Sequence, residues 1–170
     1  MIDHGAAAAA VHGISRSDKW PAVERAFRYL HPSCAACDSL DVQIHHVRPF
    51  HYCILAGRHD LELDPRNLIS LCESEKGLTA QNHHLLLGHL DDFQSYNPSV
   101  RLDALTFDSM AEAGIKMNPA WQVEEHNRPK LWPDMSADER AAFRATIDAM
   151  YPAPYVDGFA LSAVGEVVPA

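Results

Sequence analysis

The chain carries four short stretches that decide its fold: Cys34-Ala35-Ala36-Cys37, Val42-Gln43-Ile44-His45-His46, Asn67-Leu68-Ile69-Ser70-Leu71-Cys72 and His83-His84. Two cysteines separated by two residues can present both sulfurs to one ion from a tight turn. The second and third stretches predict two short β-strands, and residues 83–90 predict a short helix. A long loop with Pro49, Gly57 and Pro65 separates the two strands. Because long loops without structure of their own are uncommon, we expect this loop to be functional.

Two amphipathic helices are predicted outside these stretches. Apolar residues recur at Val23, Phe27 and Leu30, from Pro21 in the first turn until Pro32 prevents continuation. The second helix begins with the capping box Ser136-Ala137-Asp138-Glu139 and ends before Pro152. Its apolar face consists of Phe143, Ile147 and Met150. Residues 1–15 show no periodicity and predict a disordered leader.

The composition is that of an ordinary globular protein. The 170 residues are 47% hydrophobic and 22% charged. No apolar run approaches the roughly 20 residues of a membrane helix, and the alanine tract lacks the basic flank of a signal peptide. We therefore expect a cytoplasmic protein with no membrane segment. In that compartment its four cysteines would be reduced, which favours thiolate ligands over disulfides.

The formal net charge of −9 argues against a protein that neutralises many phosphates. Basic residues are concentrated in the first part of the chain, whereas acidic residues dominate its end. Any contact with DNA must therefore use a local basic surface, for which the candidates are Arg16, Lys19, Arg25, Arg28 and Arg48.

The four stretches together resemble an HNH endonuclease of the ββα-metal type. The resemblance covers residues 16–101 and includes the flanks Lys19-Trp20-Pro21, Glu62-Leu63-Asp64-Pro65 and Tyr96-Asn97-Pro98. It implies an α+β fold, in which a small ββα-metal core with a zinc knuckle is flanked by N-terminal and C-terminal helices. The implied organisation is a leader (1–15), the nuclease domain (16–101), a helical C-terminal extension packed on that domain (102–152) and a tail (153–170).

The resemblance implies a structural zinc site held by Cys34, Cys37, Cys72 and His83. The last position is usually a cysteine in the family, but imidazole can replace thiolate at zinc. The alternative is that Cys72 is a buried strand cysteine and that the first two cysteines form a turn without an ion. Cys53 has no partner at a suitable spacing, and we interpret it as a packing residue.

A catalytic site is expected from His45, His46, Asn67 and His84. Neighbouring strand residues face opposite sides, so His45 and His46 cannot do the same work. The resemblance implies that His45 and His84 bind the catalytic metal and that His46 is the general base. Asn67 either binds the metal or fixes His46 by hydrogen bonding across the loop.

Three further histidines have weaker predictions. His89 lies five residues after His84, which is not the spacing that brings two side chains to one face of an α-helix. It can bind the metal only if the helix is distorted there, and a supporting or packing role is the alternative. His51 and His59 are expected to be solvated or close to DNA.

The resulting expectation is a metal-dependent endonuclease that hydrolyses DNA phosphodiester bonds. Its cofactors would be a structural Zn²⁺ and a catalytic divalent ion, Mg²⁺, Mn²⁺, Ni²⁺ or Zn²⁺. One alternative is a non-catalytic zinc module of the same fold that binds DNA or protein. Another is a zinc hydrolase with a different substrate, but no helical His-x-x-x-His pair with a neighbouring glutamate is present. The oligomeric state is left open.

Overall fold

The computed structural model describes residues 3–73, 81–152, 159–161 and 167–169 of an α+β protein. None of the described helices is both long and apolar enough to cross a bilayer. The helices are α1 (His4–Ala10), α2 (Trp20–Leu30), α3 (Phe50–Leu55), α4 (Val100–Thr106), α5 (Glu112–Lys116), α6 (Pro119–His126) and α7 (Ala137–Met150). The strands are β1 (Val42–His46), β2 (Leu68–Cys72), β3 (Phe159–Leu161) and β4 (Val167–Pro169).

The chain divides into two compact units, each built from separate segments. The first unit comprises Met1–Leu30, Arg48–Leu68 and Leu131–Ala170. The second comprises His31–Val47 and Ile69–Lys130. The domain boundaries expected from the sequence stay a prediction.

In the second unit, β1 pairs with β2 in a two-stranded sheet. Apolar side chains of both strands join a core to which α4, α5 and α6 contribute Ala104, Ile115 and Trp121. The Trp121 indole donates a hydrogen bond to the Leu86 carbonyl at 3.0 Å, which satisfies its one polar atom inside the core. The sequence predicted a helical extension after residue 102, but α4, α5 and α6 were not recognised as separate elements.

In the first unit, both amphipathic helices predicted from the sequence are confirmed. The helix α2 ends at Leu30 and buries Val23 and Phe27. The helix α7 begins with the predicted capping box, in which the Ser136 hydroxyl accepts from the Glu139 amide and the Glu139 carboxylate accepts from the Ser136 amide. Its apolar face buries Phe143 and Ile147.

The expectation of a long structureless loop between the strands is wrong. The segment contains α3 and two short 3₁₀ turns, His59–Glu62 and Pro65–Asn67. The apolar side chains Phe50, Tyr52 and Cys53 are buried, and burial of this run stabilises a helix that is too short to show a clear period in the sequence.

The two ends of the chain also differ from the prediction. Residues His4–Ala10 form α1, because the Asp3 side chain caps the helix by accepting from the Ala6 amide at 2.8 Å and alanine favours helix. Ala9 is fully buried and α1 packs on α3. In the expected loose tail, β3 and β4 pair antiparallel, with Phe159 opposite Pro169. The rest of that tail lies outside the described residues.

Candidate metal centres

The first candidate centre is a Cys3His group formed by Cys34, Cys37, Cys72 and His83. One ligand atom from each lies within 4.8 Å of the others. The first two cysteines lie on a turn that is joined to β2 by a hydrogen bond from the Ala35 amide to the Ser70 carbonyl, 2.9 Å long. The turn closes at Asp38, whose φ of 58° is one that aspartate tolerates.

The distances within the Cys3His group suit a zinc ion. The Cys37 and Cys72 sulfurs are 3.6 Å apart. His83 Nδ1 lies 3.4 Å from the Cys72 sulfur and 3.7 Å from that of Cys34. Bonds of about 2.3 Å to sulfur and about 2.0 Å to nitrogen place neighbouring ligands of a tetrahedron about 3.5 to 3.8 Å apart. The four residues therefore have both the chemistry and the spacing that zinc requires.

Hydrogen bonds orient the ligand atoms of this group in a way that suits a bound cation. His83 Nε2 lies 3.0 Å from the Met110 carbonyl, to which it must donate, so the Nδ1 lone pair faces the sulfurs. The hydrogen bond between Cys72 and Cys34 lowers the pKa of Cys34 and raises that of Cys72. One thiolate is thus favoured at this position.

Cys53, the fourth cysteine, has a different environment. It is fully buried, and its thiol contacts the Arg48 carbonyl at 3.9 Å. Burial raises the pKa of Cys53 to about 12. A thiol that stays protonated at neutral pH is a poor nucleophile, and among the described residues Cys53 belongs to neither candidate ligand group, which agrees with the packing role expected from the sequence.

The second candidate centre is a three-histidine group formed by His45, His84 and His89, whose ligand atoms lie within 4.8 Å of one another. His45 comes from β1, His84 begins a turn of π-helix over His84–Gly88, and His89 directly follows that turn. A π-helix joins residues five apart, so it brings residues at this spacing to one face. The distortion that His89 requires to join the group is therefore present, and the Nε2 atoms of His84 and His89 are 3.2 Å apart.

The hydrogen bonds of two of these histidines leave their lone pairs facing each other. His84 Nδ1 lies 2.8 Å from the Glu73 carboxylate, and His89 Nδ1 lies 2.7 Å from the Ser95 carbonyl. Both partners are acceptors, so each Nδ1 carries a proton, and in the neutral rings each Nε2 presents a lone pair. Two lone pairs at this separation repel unless a proton or a metal ion lies between them. Tetrahedral zinc would place two such nitrogens about 3.3 Å apart.

His45 adds a third imidazole, and this one is neutral. Burial, and then the neighbouring rings of His89 and His84, lower the pKa of His45 well below its ordinary value. Its Nε2 is buried and has no hydrogen-bond partner among the described residues. A buried polar atom without a partner is costly, and a bound ion would remove the cost by engaging the imidazole of His45. The three residues therefore fit a divalent cation.

Gly88 allows the close approach between the π-turn and β1. A Cβ atom at this position would lie 3.1 Å from His45 Cε1 and Nδ1, and 3.2 Å from a Leu71 methyl group. Gly88→Ala should displace the His45 ring, which is enclosed by His84 and His89 at centroid distances of 5.2 and 4.7 Å. We expect metal affinity at the three-histidine group to fall by about tenfold, measured by calorimetric titration of the zinc-loaded protein with Ni²⁺.

Gly114→Ala is the matched control in the same unit. A Cβ there would meet only the end of the flexible Met110 side chain at 3.3 Å, within a helix that alanine favours. It should leave Ni²⁺ affinity unchanged. Equal affinity of the Gly88→Ala and wild-type proteins would show that the π-turn does not set the position of His45.

The other predicted catalytic residues lie outside both groups. His46 is buried and follows His45 on β1, so the two rings leave opposite faces of the strand. In the first unit, the Asn67 carbonyl oxygen accepts from the Arg48 amide and the Tyr151 hydroxyl, at 2.8 and 3.1 Å. The Asn67 amide nitrogen donates to the Arg48 and Leu61 carbonyls, both at 3.0 Å.

The two loop histidines differ from each other. His59 is exposed, as the sequence predicted. The expectation of a solvated His51 is wrong: this residue is buried in α3 and its ring stacks on His12 at a centroid distance of 5.5 Å. Burial lowers the pKa of His51 to about 4, so the ring is neutral at pH 7. The aromatic and apolar neighbours of His51 in the sequence were the available signal.

Sequence reasoning missed the residues that support the histidines. Glu73 was one of many acidic residues, and only its position directly after a ligand cysteine at the end of β2 distinguished it. Gly88 lies between two histidines that could share an ion only if the helix were distorted. The Ser95 and Met110 contacts use backbone carbonyls, which leave no trace in residue identity.

Comparison of the chain with protein-family models, with curated proteins and with solved structures gave no match.

Proposed function

We propose that the chain is a metal-dependent DNA endonuclease of the HNH type with a structural zinc. The observation that carries the proposal is the three-histidine group. A strand and a distorted helical turn bring together the buried imidazoles of His45 and His84 and the half-buried imidazole of His89, with the Nε2 atoms of His84 and His89 3.2 Å apart. The HNH resemblance assigns His45 and His84 to the catalytic metal, and the distorted turn brings His89 to the same group.

The Cys3His group is proposed to hold the structural zinc. Its four ligands fill a tetrahedron, and closed sites of this composition stabilise folds rather than perform chemistry. The turn of Cys34, the end of β2 and the start of the π-turn meet at this group. An ion here would join three segments that are distant in sequence, and part of its binding energy would be folding energy.

The three-histidine group is proposed to hold the catalytic ion. A divalent cation bound there supplies positive charge for the scissile phosphate and for the leaving 3′ oxygen. The His46 ring leaves the opposite face of β1 from His45, so it does not bind the metal. It takes the proton from the attacking water instead. Neutral imidazole is abundant near pH 7, which suits this role.

Asn67 is proposed to position the chain next to the general base. The sequence left open whether this residue binds the metal or fixes His46 by hydrogen bonding across the loop. Its two amide hydrogens and both acceptor positions are engaged by Arg48, Leu61 and Tyr151. Metal binding would sacrifice at least one of these buried bonds. The positioning role is therefore favoured, through the backbone of Arg48, two residues after His46 in the chain.

Cleavage of supercoiled plasmid DNA across Mg²⁺, Mn²⁺, Ni²⁺ and Zn²⁺ tests the proposal directly. We expect nicked or linear products that depend on an added ion and disappear with a chelator. Absence of cleavage with every ion, in protein that carries zinc and binds a second metal, would contradict the endonuclease function.

The same preparation should bind DNA weakly and with a shallow salt dependence. Of the predicted basic residues, Lys19 and Arg25 are exposed, whereas Arg48 is buried and Arg16 stacks on Trp20 and bonds to Asp3. We expect a slope of log affinity against log salt that corresponds to about two to four phosphate contacts. A steeper slope would reveal a DNA surface that these residues do not account for.

A non-catalytic zinc module that binds DNA or protein is the second candidate, and the net charge of −9 favours it. It predicts zinc binding at the Cys3His group without any cleavage. The plasmid assay therefore separates the two candidates.

A further inference from the structure

We infer that Glu73 is a positioning residue for His84, holding this ligand in the tautomer that directs its Nε2 lone pair toward His89. The inference rests on the proposed metal-binding role of the three-histidine group and concerns a residue that the HNH resemblance does not assign. The contact that carries it is the 2.8 Å hydrogen bond between the Glu73 carboxylate and His84 Nδ1.

The surroundings of this bond make it strong. The side chains of His84 and Glu73 are only 8% and 12% exposed, so solvent screens the interaction little. The Glu73 backbone is also fixed, because its amide donates to the Asp41 carbonyl at 3.1 Å. A buried carboxylate at a fixed position both orients an imidazole and increases its basicity toward a metal.

A comparison within the group shows what Glu73 adds. His89 donates its Nδ1 proton to the neutral carbonyl of Ser95, whereas His84 donates to a carboxylate. Hydrogen bonds to ionised acceptors are about twice as strong as those between neutral groups. The contact with Glu73 therefore orients His84 more firmly, and makes its ring more electron-rich, than a contact with a neutral carbonyl would.

Glu73 also connects this centre to the other one. It directly follows Cys72, while His84 directly follows His83. In each of these two neighbouring pairs, the first residue belongs to the Cys3His group. The second residue takes part in the contact between Glu73 and His84. The end of β2 and the start of the π-turn are thus joined twice, once at each centre.

Two variants of Glu73 in the full chain, loaded with one equivalent of zinc, test its role. The tautomer of His84 is measured by ¹⁵N NMR, and the affinity of the three-histidine group by calorimetric titration with Ni²⁺. We expect an Nδ1-protonated His84 in the wild type and a shift toward the Nε2-protonated form in Glu73→Ala. Ni²⁺ affinity should fall by about tenfold in Glu73→Gln, which keeps the shape, and by up to about a hundredfold in Glu73→Ala.

Glu125→Gln is the control, because this glutamate pairs with Arg128 at the surface of the same unit. It should match the wild type in both measurements. An unchanged tautomer and unchanged Ni²⁺ affinity in both Glu73 variants would overturn the role of Glu73 and leave the metal centre standing. A wild-type protein that does not bind Ni²⁺, or binds it equally after His84→Ala, would overturn the metal centre and the role of Glu73 together.

Discussion

Replacing His46 with alanine should lower the rate of DNA cleavage by about a hundredfold or more while Ni²⁺ affinity at the three-histidine group stays close to that of the wild type. The general base acts on water and contributes about 10² to 10⁴ to the rate, whereas His46 lies outside the group formed by His45, His84 and His89. Single-turnover cleavage and calorimetric titration of the same preparation measure the two effects separately.

The ligand variants give the opposite pattern and serve as the reference. His45→Ala and His84→Ala should lose Ni²⁺ binding together with cleavage. Added imidazole should partly restore His46→Ala, because a small base can accept the proton, but it cannot replace a lost ligand that must hold an ion. His59→Ala, at an exposed position, should cleave like the wild type. If His46→Ala retained near-normal cleavage, or lost Ni²⁺ binding as the ligand variants do, the division of roles within β1 would be wrong.

The helices that were predicted correctly are those whose start, apolar face and end can all be recognised within a short stretch of sequence. The helix α2 has an apolar stripe and a proline stop, and α7 has a capping box, an apolar face and Pro152 beyond its end. The ligand groups were predicted from the HNH resemblance, with His89 as a possible member, and the structure brings the same residues together. Their metal content and their roles stay predictions.

The rest was decided by burial and backbone geometry, which the sequence shows only weakly. The helix α3 has six residues and exists because Phe50, Tyr52 and Cys53 are buried. The π-turn inserts one residue into a helical turn, and only the spacing from His84 to His89 indicated such a distortion. The partners that orient the imidazoles include two main-chain carbonyls, and any residue type could supply these.

Replacing Cys37 with serine should remove zinc from the protein and destabilise the second unit by several kcal/mol, or prevent its folding. Metal binding at a closed site is largely folding free energy, on the order of 10 kcal/mol in small zinc domains. Elemental analysis should find about one tightly held zinc per chain in the wild type and little in the variant, and thermal melting should show the loss of stability.

The position of Cys37 makes this variant diagnostic. Cys37 is only half-buried, whereas Cys34 and Cys72 are fully buried, so serine there creates neither a cavity nor a buried hydroxyl without access to water. A large loss of stability must then come from the ion. Cys53→Ala deletes a fully buried thiol and should cost about 1 kcal/mol through packing alone, with the zinc content unchanged. A folded wild type without zinc, or a Cys37→Ser protein that melts like Cys53→Ala, would mean that the four residues meet for packing and that the three-histidine group lacks the metal-stabilised support proposed for it.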